Sequence, residues 1–265
     1  MFSARRTLEA YDVQEKKPTC FRAGYKLMHT AVAGDIFIMN ERFSRIKTLL
    51  GEEAVSSLSD KHVIVFGIGG VGGYAAEALV RSGIGKITLV DFDTVNESNI
   101  NRQICALSST IGLYKAQVMA DRLRDINPEA KVFSEVKRYT KQTADYFFSM
   151  KADYIVDAID CVTDKIDLIC RAKADNIPII SAMGAGNKLN ADGFHIADIS
   201  KTKVCPLAKI MRKELGIRGI RHLTVVFSEE IPVVKERTPG SSVWAVGTAG
   251  LLIAGEVIKD LVKGV

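Results

Sequence analysis

The residues best equipped for chemistry lie between Val63 and Lys115. Gly67-Ile68-Gly69-Gly70-Val71-Gly72 follows a short apolar run, residues 63–66, and leads into a helical stretch, residues 72–81. Strand, glycine turn and helix in that order let the backbone approach a pyrophosphate, with the free N–H groups of the helix start turned toward it. Gly67, Gly69, Gly70 and Gly72 are therefore candidate phosphate-binding positions. The motif alone does not separate NAD, FAD and ATP. A second strand, residues 86–90, ends in Asp91-Phe92-Asp93, and an acid there can accept from ribose hydroxyls. Asn96, Asn99, Asn101, Arg102 and Gln103 come next, and Lys115 opens a further helix. A nicotinamide enzyme needs no such polar cluster. A site that transfers an adenylyl group does, because a guanidinium and an ammonium neutralise a triphosphate as fork and as point charge. A polar surface loop running into a helix is the plainer alternative.

The elements that must carry these residues alternate. Strands are expected at 63–66, 87–90, 131–136, 154–158 and 178–181, and helices at 72–81, 115–125, 142–150 and 163–174. This is the rhythm of an α/β, Rossmann-like, doubly wound sheet. Beyond Gly193 the rhythm changes: 195–199 and 224–228 read as further strands, antiparallel, so the sheet becomes mixed on its C-terminal side. A last helix is expected at 243–262; it is short for a bilayer and contains Glu256, which points to core or dimer packing and away from a membrane span. The glycine-rich stretch SAMGAGN, residues 181–187, is expected on the ligand-binding edge, lining a substrate cavity or making a plain turn. Residues 237–242, RTPGSS, read as a loop over the site.

The order GxGGxG, DFDTV, SNxNRQ, GxxKA and DAID resembles the ATP-binding fold of the ubiquitin-activating-enzyme superfamily, from about Glu41 to the C-terminus. The resemblance implies ribose binding at Asp91 with Asp93 beside it, and phosphate binding at Asn99, Arg102, Gln103 and Lys115. It implies Mg²⁺ at Asp160, and an arginine, Arg45, that one subunit of a homodimer reaches into its partner's site. Within the superfamily, ERFSR at 41–45, LLGEE at 49–53, NINRQ at 99–103, INP at 126–128, DAID at 157–160 and PLA at 206–208 are similar to the tRNA threonylcarbamoyladenosine dehydratases. That resemblance implies ATP-dependent cyclisation of threonylcarbamoyladenosine beside a tRNA anticodon, through an acyl-adenylate, with catalytic work at Arg102, Lys115, Arg45 and Asp160. It leaves a monovalent cation and a sulfur-carrier or redox partner open. One residue departs from the group: Cys205 stands before Pro206-Leu207, where Asp is common. Thioester-forming relatives place a nucleophilic cysteine nearby, and Lys203 would lower its pKa. Cyclisation needs no thiol, since the attacking nitrogen already belongs to the substrate, so a chance substitution in a loop is the other reading.

Composition bounds the rest. A chain of 265 residues can bury a substantial core, and 47% hydrophobic with 25% charged residues is ordinary for a soluble globular domain. The net charge of +5 suits a polyanionic partner without demanding one. Between Lys201 and His222 the cations Lys201, Lys203, Lys209, Arg212, Lys213, Arg218 and Arg221 face Glu214 alone. Part of this stretch reads as a helix, 206–215, with Leu207, Ile210, Met211 and Leu215 on one face. The outward cations fit tRNA, an acidic carrier protein or simple solvation. Cys20, Cys105, Cys161, Cys170 and Cys205 make no CxxC pair, which argues against the zinc-bearing sulfur-carrier branch and for reduced thiols in the cytoplasm. His29, His62, His195 and His222 show no metal-ligand spacing. Residues 1–38 match nothing in the resemblance and are expected to be a poorly ordered extension, with 39–265 a single ATP-binding domain. Adenylation of the C-terminal glycine of a small sulfur-carrier protein is the alternative function, and a nicotinamide oxidoreductase a more distant one.

Overall fold

Seven strands form one sheet: β1 (His62–Phe66), β2 (Lys86–Val90), β3 (Lys131–Glu135), β4 (Tyr154–Asp157), β5 (Ile179–Ala182), β6 (Phe194–Asp198) and β7 (Thr224–Ser228). The structure is a computed structural model that describes residues 41–232 and 239–263, within the compact unit Met39–Val265. The expectation for residues 1–38 lies outside the described residues. The strand order is β3-β2-β1-β4-β5-β7-β6. All neighbours are parallel except β6, which pairs antiparallel with β7. β7 was expected antiparallel as a whole; it instead extends the parallel run beside β5, and only β6 turns back.

Both sheet faces are covered, and β1 shows why its run is apolar throughout. Val63 and Val65 enter one core with α3 (Gly72–Arg81), α4 (Lys115–Ile126) and α8 (Val243–Leu261). Ile64 and Phe66 enter the other, with α5 (Ala144–Phe148), α6 (Val162–Ala174) and α7 (Pro206–Ile217). Strand periodicity of two thus feeds two layers of helix. α3 and α8 approach closely because of glycine: a Cβ at Gly250 would lie 2.4 Å from the Val71 carbonyl oxygen and 2.8 Å from Tyr74 Cβ. No helix among the described residues is long and apolar enough to cross a membrane.

Local chemistry explains the departures from expectation. α1 (Ser44–Leu50) and α2 (Glu52–Leu58) were not anticipated; Gly51, at φ +92°, breaks them apart, and Glu52 and Glu53 suit the positive start of α2. α5 is shorter than expected because Thr143 turns the chain before it. Its hydroxyl donates to the Arg138 carbonyl and accepts from Thr140 N–H, in competition with helical pairing. On α7, Ala208, Met211 and Leu215 are buried, whereas Ile210 is 47% exposed, so the inner face is rotated from the expected one.

A fully buried triad knits the carboxyl ends of β4 and β5 to α6. Lys165 Nζ lies 2.7 Å from Asp157 Oδ2 and 3.1 Å from Ser181 Oγ, and the Ser181 hydroxyl donates to Asp157 at 2.6 Å. Asp157 Oδ1 also accepts from Ile159 N–H, which fixes the start of the Ile159-Asp160 loop. A buried charge left alone costs several kcal/mol, so each member requires the others.

Three expected outcomes follow from this packing. Lys165→Met should lower unfolding free energy in urea by about 3–5 kcal/mol, the cost of stranding a buried carboxylate. Gly250→Ala should destabilise by about 1–3 kcal/mol through overpacking. Gly255→Ala, exposed on the same helix with no neighbour within 4 Å, should stabilise by about 0.5–1 kcal/mol.

Candidate nucleotide site

A cavity of about 500 Å³ opens at the carboxyl ends of β1, β2 and β4, where the strand order reverses between β1 and β4. This is the place where open parallel sheets accept ligands. The glycine turn forms one wall, and its glycines differ in purpose. A Cβ at Gly67 would lie 2.6 Å from the Ala158 oxygen, one at Gly72 would lie 1.8 Å from the Gly67 oxygen, and one at Gly70 would lie 2.8 Å from Val246. Those three are demanded by the protein's own packing. Gly69 is not: the nearest atom to a Cβ there is Gln103 Nε2, 3.9 Å away. Its missing side chain leaves backbone facing the cavity. α3 starts beside it with no side-chain cap; Gly73 N–H is taken by the Gly69 carbonyl at 3.0 Å, and the helix start still turns positive potential toward an anion.

Asp91 ties the turn to β2. Its carboxylate accepts from Ile68 N–H at 2.7 Å and Asp93 N–H at 2.8 Å. Burial pushes its pKa above the usual carboxylate value, against the pull of these donors and of Lys115. Each oxygen keeps a second acceptor position, enough to take a ribose hydroxyl.

Lys115 is the first residue of α4, and it is buried. Its Nζ pairs with Asp93 Oδ2 at 2.9 Å, and its N–H donates to the Asp93 carbonyl at 3.0 Å. A cation at a helix N-terminus is opposed by the helix dipole. Asp93 offsets that opposition in part, and Lys115 gives the cavity wall a cation suited to an anionic ligand. Arg102 donates to Ser98 O at 2.7 Å and Asn101 Oδ1 at 3.0 Å, and it lines the cavity beside Gly70, whose Cβ position lies 3.4 Å from the Arg102 carbonyl oxygen. Gln103 is buried, lines the cavity, and its Oε1 has no partner among the described residues. An orphaned buried carbonyl beside an open glycine fits a polar ligand.

Asp160 lines the cavity from the loop after β4, with Asp93 and Asp164 also on the wall. Among the described residues no group of carboxylates, histidines and cysteines forms a preassembled metal cage. Mg²⁺ asks for no cage: one or two carboxylates with phosphate and water oxygens suffice, and Asp160, with Asp93 and Asp164 paired to Lys115 and Arg138, is the carboxylate that would fit it.

Several anticipated residues lie elsewhere. Asn99 does not line the cavity; its Oδ1 accepts from Asn96 N–H, capping the short 3-10 turn Glu97–Asn99. Arg45 sits exposed on α1 and does not line the chain's own cavity. Cys205 is 3% exposed and packs in the core beneath α7, its Sγ 3.6 Å from the Cβ position of Gly184. It is a buried thiol that does not line the cavity. The SAMGAGN segment does not line the cavity either. It clasps a neighbouring loop, Asn187 N–H donating to Gly240 O at 2.8 Å and Gly240 N–H to Asn187 Oδ1 at 2.6 Å. Of the RTPGSS loop, 237 and 238 lie outside the described residues; Ser241 O accepts from Asn101 Nδ2 at 3.0 Å.

Sequence reasoning missed the far wall. Arg138 forks onto Asp164 at 2.8 and 3.1 Å, with its guanidinium 5.5 Å from the Phe92 ring centroid. Tyr139, edge-on to Phe66, donates its hydroxyl to Asp167. The available signal was topological: β3 is parallel to β2, so residues following it must reach the same edge.

A family model described as the ThiF family matches residues 43–263. The tRNA threonylcarbamoyladenosine dehydratase of Bacillus subtilis is 41% identical over 246 residues, covering 86% of this chain and 97% of that protein. The crystal structure of the Escherichia coli tRNA N6-threonylcarbamoyladenosine dehydratase TcdA in complex with ATP superposes with a TM-score of 0.80 at 37% identity, covering 87% of this chain and 97% of that one. More distantly, the Escherichia coli sulfur carrier protein ThiS adenylyltransferase is 33% identical over 153 residues, covering 56% of this chain and 60% of that protein. Glycine turn, switch-point cavity and buried lysine thus occur in a chain that belongs to the ThiF family.

Proposed function

We propose that this protein is an ATP-dependent dehydratase that cyclises threonylcarbamoyladenosine beside a tRNA anticodon, acting in the cytoplasm as a homodimer. The observation that carries the nucleotide half is the buried Lys115 ammonium at the start of α4, in one cavity with an open glycine and an unpartnered Gln103 carbonyl. The tRNA half rests on the near full-length likeness to the Bacillus subtilis dehydratase.

In this reading Asp91 accepts from the ribose, and Gly69 with the start of α3 meets the phosphates. Arg102 and Lys115, with the Gln103 Nε2 amide beside Gly69, donate to the phosphate oxygens. Mg²⁺, held by Asp160, would supply further neutralisation of the phosphates when bound. The threonyl carboxylate attacks the α-phosphorus and pyrophosphate leaves, giving an acyl-adenylate. Lys115 and Arg102 stabilise charge growing on the leaving phosphates. The substrate's carbamoyl nitrogen then attacks the acyl carbon, its proton is lost and AMP departs. The balance is one water removed from the nucleoside as ATP becomes AMP and pyrophosphate. Intramolecular attack needs only the correct pose, so a water-poor cavity and well-held nucleotide suffice.

Arg45 acts in trans in this reading. Its exposed position outside its own cavity supports that, as do the exposed apolar residues Leu107, Ile111, Leu113 and Tyr114 between the Arg102 loop and α4.

The direct test incubates purified protein with ATP, Mg²⁺ and tRNA carrying uncyclised threonylcarbamoyladenosine, followed by gentle nucleoside mass spectrometry. ATP-dependent loss of one water is expected; an unchanged nucleoside, with ATP bound, would favour a carrier-protein substrate. Arg102→Ala should cut turnover by about 100-fold, the scale for losing one charge-stabilising donor, while shifting stability by less than about 1 kcal/mol. Mixing inactive Arg45→Ala with inactive Lys115→Ala subunits should restore about a quarter of parental activity, the statistical share for a shared-site dimer. Failure to complement would place Arg45 outside the partner's site.

A further inference from the structure

Beyond the nucleotide cavity, one surface collects cations that the fold leaves without partners. Lys201, Lys203, Lys209, Lys213 and Arg221 are all exposed, and none has an ion-pair partner among the described residues. Their would-be competitors are occupied: Glu214 takes Arg218, and Asp198 takes the Ser200 N–H and His222. Arg212 is spent on Thr202. Beside α7 runs a groove of about 920 Å³, shared with α6, whose rim adds Lys141 and Lys173. Its acid Asp167 accepts from the Tyr139 hydroxyl.

The surface spans the sheet from one edge to the other and meets the cavity at one end. There α7 begins after Cys205, which packs on Gly184 just after β5, and α6 begins with Val162 and Thr163 in the groove while Cys161 and Asp164 line the cavity; Lys203 and Lys209 lie at this end, whereas Lys201 and Arg221 lie at the other, beside the Asp198–Thr224 pair. β5 pairs with β4, and the loop after β4 carries Asp160 into the cavity. A second set of cations, Lys61, Lys86, Lys131 and Lys151, sits before or at the start of β1, β2, β3 and β4, on the opposite edge. Charge alone therefore does not single out a face; the position relative to the cavity does.

We infer that the α6–α7 face, from Lys201 to Arg221, is the surface on which the tRNA sugar–phosphate backbone lies while one modified nucleotide reaches the cavity. The inference rests on the dehydratase reading. No exposed aromatic ring lies among these cations, so contact is with phosphates and not by base stacking. Such contact is sequence-independent and releases counterions, which makes it strongly salt-dependent.

The test compares three proteins: parent, K203Q/K209Q/K213Q/R221Q, and the matched control K61Q/K86Q/K131Q/K151Q. Binding to tRNA is measured by filter retention from 50 to 200 mM salt, with ATP titrations alongside. The α7 variant should bind tRNA about 10- to 100-fold more weakly, with a salt slope shallower by about 2–3. Its KM for tRNA in the dehydration assay should rise while kcat at saturation holds. The control should stay within about threefold of the parent, and ATP affinity should be equal in all three. Parental tRNA affinity and slope in the α7 variant would overturn the inference and leave the surface to an acidic protein partner. Equal loss in both variants would overturn it too, in favour of net charge. A parent that neither binds nor dehydrates tRNA would sink the dehydratase reading itself.

Discussion

A buried ammonium at the wrong end of a helix is the interaction on which the site depends. Lys115 begins α4, where the backbone already presents positive charge, and it is withdrawn from water. Asp93 is the carboxylate that makes this tenable, and Asp93 is itself half exposed. In the proposed reading the pair is a stand-in: a phosphate entering the cavity would take over the neutralisation that Asp93 supplies without it. Asp91, two residues earlier, uses the same β2 end to pin the glycine turn. One strand terminus thus positions both the ligand's wall and its counter-charge.

That arrangement needs a rigid sheet edge. The reversal of strand order between β1 and β4 opens the crevice, and the Asp157–Lys165–Ser181 triad keeps its far side from spreading. Glycines at 67, 70 and 72 let the turn fold onto β4, Val246 and itself, which leaves Gly69 as the residue that backs the ligand. The glycine motif is then two devices in one: a tight packing knot and a single open face.

Much of this was legible in the residues. Apolar-rich runs marked the inner strands β1, β2, β4, β5 and β7, because strands buried on both faces leave little other composition available, whereas the edge strands β3 (KVFSE) and β6 (FHIAD) carry charged residues. The glycine turn, Asp91, Asp93, Arg102, Gln103, Lys115 and Asp160 were named from spacing and resemblance, and all line one cavity apart from Gly72 of the turn. What escaped was set by contacts distant in sequence. Lys165 looks like a solvated helix residue until Asp157 and Ser181 meet it in the core. Arg138 and Asp164 come together only once β3 and α6 share an edge. Asn99, read as a phosphate ligand, spends its oxygen on a local turn, and no spacing rule distinguishes a cap from a ligand there. Thr143 shortened α5 through one hydroxyl.

The account is tested most directly by calorimetric titration of ATP·Mg²⁺ into Lys115→Met, with thermal unfolding of the same variant. Methionine keeps the packing volume and removes only the charge. The prediction is an affinity roughly 10- to 100-fold weaker, the scale of one charge-assisted hydrogen bond, with a Tm equal to or above that of the parent, because a cation opposed by a helix dipole has been removed. Parental ATP affinity combined with a lowered Tm would contradict it, and would make Lys115 a structural partner of Asp93 with no part in holding the nucleotide.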